Sequence, residues 1–247
     1  MKYDIVYSLG NNCGCAEYLR DAHLRSHSGP LDWIISDDVY ASFKTILDEF
    51  DVFLDFSCLE QQSAEKDSLN IPFLHTKNKY LFLHDFFKEE SLTKQMPLVA
   101  QKYQRRIKRL MDDLQSKKRI LFCWYGETGA VVDSAEAVSY CLKIRRQSTA
   151  HIDFLFILYD QEGEEMKSSH ENGIFFYQLP KSLLEKRKEG YLMWDKSHIA
   201  PIFSQINIEV KTTFSTALRK VLYRIASVFI FNRSKRHKFI EDNVKNS

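Results

Sequence analysis

Glycine and proline are scarce in this chain of 247 residues, at eight and five. That scarcity excludes a collagen-like or a Gly/Pro-rich disordered chain. No run of 18 apolar residues occurs, so no transmembrane helix is expected. The amino terminus carries Asp4 and lacks a basic stretch ahead of an apolar one, which argues against a secretory signal. Cysteine appears five times, at positions 13, 15, 58, 123 and 141. An odd number at irregular spacing suits reduced thiols in a cytoplasm better than a disulfide framework. Cys13-Gly14-Cys15 has no second ligand pair at zinc spacing, so neither a metal nor another cofactor is expected. Repeats and low-complexity segments are absent too.

What is present is an ordinary globular composition, 44% hydrophobic and 28% charged, rich in Phe (18) and Tyr (12). The net charge of +2 conceals an asymmetry: residues 211–247 hold nine Lys/Arg against two acids, leaving an acidic body. We therefore expect one α/β domain over residues 1–210 and a basic amphipathic helical tail over 211–247. Within the tail, 214–231 is amphipathic and Arg233-Ser234-Lys235-Arg236-His237-Lys238 is cationic. That pairing suits contact of 214–238 with an anionic membrane surface, or a docking helix followed by a solvated end. Nucleic acid is not expected, because the body is acidic and no aromatic–basic interleaving occurs.

Short apolar runs alternate with helical periodicities. Residues 4–9, 119–125, 152–159 and 174–179 read as buried strands. Helices are expected over 14–25, from an Asp37-Asp38 cap to 49, from Pro97 to 117, from an Asp133/Glu136 capping box to 146, and over 180–188. Lys79–Phe86 reads as a strand ending at His84, and 60–70 as a polar surface loop. Arg105, Arg106, Lys108 and Arg109 fall on the solvent side of the helix from Pro97. This alternation predicts an α/β fold with a mainly parallel central sheet flanked by helices in three layers, with sites beyond the carboxyl ends of strands.

The chemistry centres on Cys13, which follows Gly10-Asn11-Asn12 between the first strand and first helix. A thiol there lies at the positive end of a helix dipole, where a thiolate is favoured. A cysteine nucleophile also needs a base and oxyanion donors. His84 is the candidate base, and Gly10, Asn11 and Asn12 are the candidate donors. The structural alternative is a small buried cysteine at a strand–helix junction, which is also the better reading of Cys15. Asp32 suits either a turn carboxylate or the orienter of a triad His. Asp85 would point away from its neighbour His84 on a strand. Asp195 and His198, at the DxxH spacing of SGNH-type hydrolases, are an alternative acid–base pair.

The motif Tyr7-Ser8-Leu9-Gly10-x-x-Cys13-x-x-Ala16-x-x-Leu19-Arg20, followed by Leu24-Arg25-x-x-Ser28-x-Pro30-x-Asp32-Trp33-Ile34, resembles the bacterial DUF1796 family of papain-like cysteine peptidases. His84-Asp85-Phe86 and Tyr103-x-Arg105-Arg106-Ile107 also look like its pattern, and Leu31 stands where Phe is usual. The resemblance implies a Cys-dependent hydrolase or acyltransferase acting on an acyl or amide substrate. In it Cys13 would be the nucleophile, His84 the base and Asp32 the orienter. It also implies a bacterial protein linked to surface-polysaccharide biosynthesis, which with the reduced thiols and the basic tail gives an expected cytoplasmic setting peripheral to the inner membrane. The rival from another class is a non-catalytic binding module of a polysaccharide-assembly system.

Overall fold

The computed structural model describes residues 1–64, 68–126, 132–185 and 199–210. Asp195, His198 and the tail 211–247 lie outside the described residues.

In chain order the elements are β1 (Lys2–Tyr3), β2 (Ile5–Ser8), α1 (Cys13–Asp21), β3 (Ile34–Ile35), α2 (Val39–Leu47), β4 (Leu59–Gln61), β5 (Phe73–His75) and β6 (Tyr80–Phe82). Then come α3 (Leu92–Leu114), β7 (Arg119–Gly126), α4 (Ser134–Gln147), β8 (His151–Gln161), β9 (Lys167–Glu171), β10 (Ile174–Pro180), α5 (Ser182–Glu185), α6 (Ala200–Ile206) and β11 (Glu209–Val210). The central sheet runs β2-β7-β8-β10-β9. Its first four strands are parallel, and β9 is antiparallel to β10.

The central strands are apolar on both sides because both faces of the sheet are covered. Along β7, Ile120, Phe122 and Trp124 enter one core with Phe43 of α2 and Tyr103 of α3. The alternate residues Leu121, Cys123 and Tyr125 enter the other with Tyr18 and Leu19 of α1 and Ile202 of α6. β8 divides in the same way, Phe154 and Phe156 against Leu155 and Ile157. Phe122 and Phe154 stack with centroids 5.6 Å apart, as do Phe156 and Phe176 at 4.6 Å.

One central, mainly parallel sheet is an incomplete description. The fold is mixed: beside the five-stranded sheet stand a four-stranded antiparallel sheet, β3-β6-β5-β4, and a two-stranded parallel one, β1-β11. The strands of the antiparallel sheet are two or three residues long. Segments so short carry too few alternations to declare a sheet. Phe53, Phe73 and Phe82 of this region join the same core as Phe43 and Tyr103.

Helix starts follow their caps. Asp38 accepts from the Tyr40 N–H and Asp133 from the Glu136 N–H, both at 2.8 Å. α3 begins at Leu92, ahead of Pro97. Gln95, only 3% exposed, holds that first stretch against the preceding loop. Its amide accepts from Phe87 N (2.7 Å) and donates to the carbonyls of Phe87 (3.0 Å) and Glu90 (2.7 Å).

Candidate active site

The loop that follows β2 has a left-handed backbone at two successive residues, Gly10 (φ +98°) and Asn11 (φ +79°). Glycine suits the first, since a side chain there would be conformationally strained and would stand 3.4 Å from the Leu31 carbonyl oxygen. The Gly10 N–H donates to Ser8 Oγ (3.0 Å). Asn11, 1% exposed, donates from Nδ2 to the Ser36 carbonyl (3.4 Å) and Asp37 Oδ1 (3.5 Å), and its carbonyl accepts from Ser36 N–H (2.9 Å). Asn12 is extended and caps α1, its Oδ1 accepting from Gly14 N–H at 2.7 Å.

Cys13 is thereby the first residue of α1, half-buried, at the carboxyl end of a parallel strand. Of the first-turn N–H groups of α1, that of Gly14 is already held by Asn12 Oδ1. Gly10 and Asn11 shape this turn through the contacts just given. Cys15 differs. It is buried on the opposite side of that turn, its Sγ donates to the Cys123 carbonyl (3.4 Å), and burial pushes its thiol up to about 12 against a hydrogen bond from Ser8.

Asp32 is 1% exposed. Its Oδ2 accepts from Gly29 N–H (2.9 Å) and meets Arg25 Nε at 3.0 Å. Arg25 also bonds the carbonyls of Ala16 (3.4 Å) and His27 (3.2 Å) and the Ser28 hydroxyl, and lies 5.2 Å over the Trp33 ring. Burial raises the Asp32 pKa, with Arg25, Arg106 and the Gly29 N–H opposing. The carboxylate is thus held by a guanidinium and a backbone N–H.

His84 stands two residues beyond β6, on the antiparallel sheet. It borders a cavity of about 580 Å³ together with Gln62, Ser63, Asn70, Leu81 and Leu83. Its ring is open to solvent along one side, yet partial desolvation and then Lys102 lower its pKa, against the pull of Asp85. Asp85 points elsewhere, accepting from the Tyr103 hydroxyl at 2.8 Å and from Lys102. His84 has Asp85 and Lys102 as its charged neighbours, whereas Asp32 is engaged by Arg25 and the Gly29 N–H.

Two features escape a reading of the sequence. Tyr7 donates its hydroxyl proton to Asp113 Oδ2 (2.7 Å) and lies 3.1 Å from His27 Nε2. With that proton committed to the carboxylate, His27 donates from Nε2, and its Nδ1 lies 3.0 Å from Ser26 Oγ. Burial and Asp113 together push the Tyr7 phenol well up. Nothing local in the sequence marks this chain of groups, which closes across 106 positions.

The second feature corrects an expectation. Arg105 and Lys108 are exposed, but Arg106 lies on the buried stripe of α3 with Val99, Tyr103 and Leu110, and Arg109 is half-buried. Arg106 is 8% exposed and sits 5.5 Å over the Tyr103 ring. Arginine can enter such a stripe because its stem is apolar and its charge acts on Asp32.

Among the described residues no cluster of three His, Cys, Asp or Glu is placed to hold a metal, and no helix is long and apolar enough to cross a membrane.

Over residues 4–162 the chain matches the family described as "Putative papain-like cysteine peptidase (DUF1796)". It is 32% identical over 141 residues to the "Uncharacterized protein R408" of Acanthamoeba polyphaga mimivirus. That similarity takes in 49% of this chain, which spans 62% of the length of the viral protein. No solved structure matches. The family match starts at the head of β2, takes in the Cys13 turn, the Arg25–Asp32 pair, His84 and α3, and ends just past β8. Covering more than half of the chain, it makes this protein a member of the DUF1796 family.

Proposed function

We propose that the protein is a thiol-dependent hydrolase or acyltransferase acting on an acyl, amide or ester bond, with Cys13 as nucleophile. The observation that carries this reading is the left-handed Gly10-Asn11 turn that presents Cys13 as the first residue of α1 at the carboxyl end of β2. The thiolate attacks the carbonyl carbon, and the Gly10-Asn11-Asn12 turn leading into α1 stabilises the oxyanion. Collapse expels the amine or alcohol, which takes up a proton, and water or a second acceptor then releases the acyl group from sulfur. His84 is the proposed proton carrier, with Asp195–His198 the alternative pair. Asp32 serves this site through Arg25 and the Gly29 N–H, fixing the loop that packs behind α1. In the cell the reading fits surface-polysaccharide assembly, with 214–238 against an anionic membrane.

The test uses the full chain carrying Cys58→Ser, since Cys15, Cys123 and Cys141 are buried with raised pKa values. Iodoacetamide near neutral pH, followed by intact mass, should give one adduct that Cys13→Ala abolishes. Equal labelling of both proteins sinks the proposal. The engagement of Asp32 by Arg25 favours a second reading, a binding module in which Cys13 only packs. That reading predicts that Cys13→Ser leaves cellular function intact.

A further inference from the structure

We infer that the protein binds a small phosphate-bearing molecule in a second cavity, at the end of the central sheet opposite Cys13. This cavity, of about 610 Å³, opens at the starts of β7 and β8 and just ahead of β10. Arg119, Arg145, His151 and His170 line it, around one buried acid, Asp153. Asp153 Oδ2 accepts from Tyr3 Oη and from Arg119 Nη2, each at 2.9 Å. Its Oδ1 lies 3.6 Å from Arg145 Nη2 and 3.9 Å from His151 Nε2.

Two guanidiniums therefore face one carboxylate, and two imidazoles add to the positive side when protonated. Among the side chains that line the cavity the guanidiniums exceed the carboxylates by one, Asp4 Oδ2 being held by the Arg119 backbone N–H (2.8 Å) outside that lining. A concave site with that surplus attracts an anion. The guanidiniums are also held in place beforehand. Arg145 Nε donates to the Ile152 carbonyl (2.7 Å) and its head lies over Phe154, while Arg119 lies over the Tyr3 ring. Among the described residues the buried Arg119 Nε has no hydrogen-bond partner. Gly173 (φ +74°) leaves the space open, since a side chain there would run into Asp153 Oδ1. His170 is set flat against Phe175, centroids 4.2 Å apart. Held arginines in a fork geometry, with further N–H donors beside them, suit a tetrahedral dianion better than a lone carboxylate. The volume falls within the range of small-molecule sites.

The experiment is a calorimetric titration of the full chain with inorganic phosphate and with pyrophosphate, ionic strength matched with chloride. Saturable binding is expected. It should weaken about tenfold or more in Arg145→Gln and in the double variant His151→Gln/His170→Gln, whose imidazoles lie at exposed positions. Lys108→Gln, on the solvent side of α3, should bind as the parent does. Unsaturable binding, equal weakening by Lys108→Gln, or undiminished binding by the double histidine variant overturns the inference. So does a response to phosphatidic acid vesicles with none to soluble phosphate.

Discussion

Arg25 Nε and Asp32 Oδ2 lie 3.0 Å apart with both side chains at most 3% exposed, so the two ends of the loop behind α1 are joined by an ion pair shut off from water. Removing one partner leaves the other charge buried and unpaired. Arg25→Met or Asp32→Asn should each lower stability by about 3–5 kcal/mol in urea melts. A double variant, Arg25→Met with Asp32→Leu, should recover much of that loss. If instead Asp32→Asn melted like the parent and only slowed turnover, Asp32 would act on an imidazole after all.

Gly10→Ala tests the turn that presents Cys13. A methyl group at φ +98° strains the backbone, and we expect about 1–3 kcal/mol of lost stability. Alkylation of Cys13 should slow as well, read by the same mass measurement. Unchanged stability and labelling would mean that the turn tolerates a side chain.

His75 is buried, with Nε2 donating to the Val52 carbonyl (2.9 Å) and Nδ1 accepting from Asn78 N–H (3.3 Å). Both nitrogens suit the neutral ring, and burial lowers its pKa. The unfolded chain therefore binds a proton that the folded chain refuses. Stability from this group is complete above the unfolded value of about 6.5 and is lost as pH falls through the folded pKa. His75→Gln, which keeps a donor near Nε2, should flatten the fall in Tm between about pH 7 and 5. The slope left over belongs in part to His84, whose pKa is also lowered. An acid limb as steep as the parent's would exclude His75 as its source.

At Gly173 a Cβ would come within 2.1 Å of Asp153 Oδ1 at a backbone φ of +74°. Gly173→Ala should cost about 2 kcal/mol or more in thermal or urea unfolding. It should also abolish the phosphate response. Retention of both would mean that Asp153 can move aside.

The long strands were legible because β7, β8 and β10 carry apolar residues for two cores at once. Asp38 and Asp133 announced α2 and α4 because capping is a local interaction. The start of α3 was not legible at Leu92. Pro97 reads as a first-turn residue, and only the contact of Gln95 with the 87–90 loop explains the earlier start. β4 begins at Leu59 and runs into the stretch 60–70 read as polar loop, and β9 is exposed throughout, so neither offered an apolar pattern. Cys13 was legible from the strand, turn and helix around it. The position of His84 was not legible, because it depends on a sheet of very short strands whose docking no local pattern encodes.

β9 ends the central sheet with Lys167-Ser168-Ser169-His170-Glu171, all five exposed. A sheet border normally offers unpaired N–H and C=O groups on which another polypeptide can polymerise. Here an incoming strand would have to settle beside a charge at each end and hydroxyls between, with no apolar side chain to bury. This border should therefore resist fibre growth, although its neighbour β10 is among the most aromatic segments in the chain.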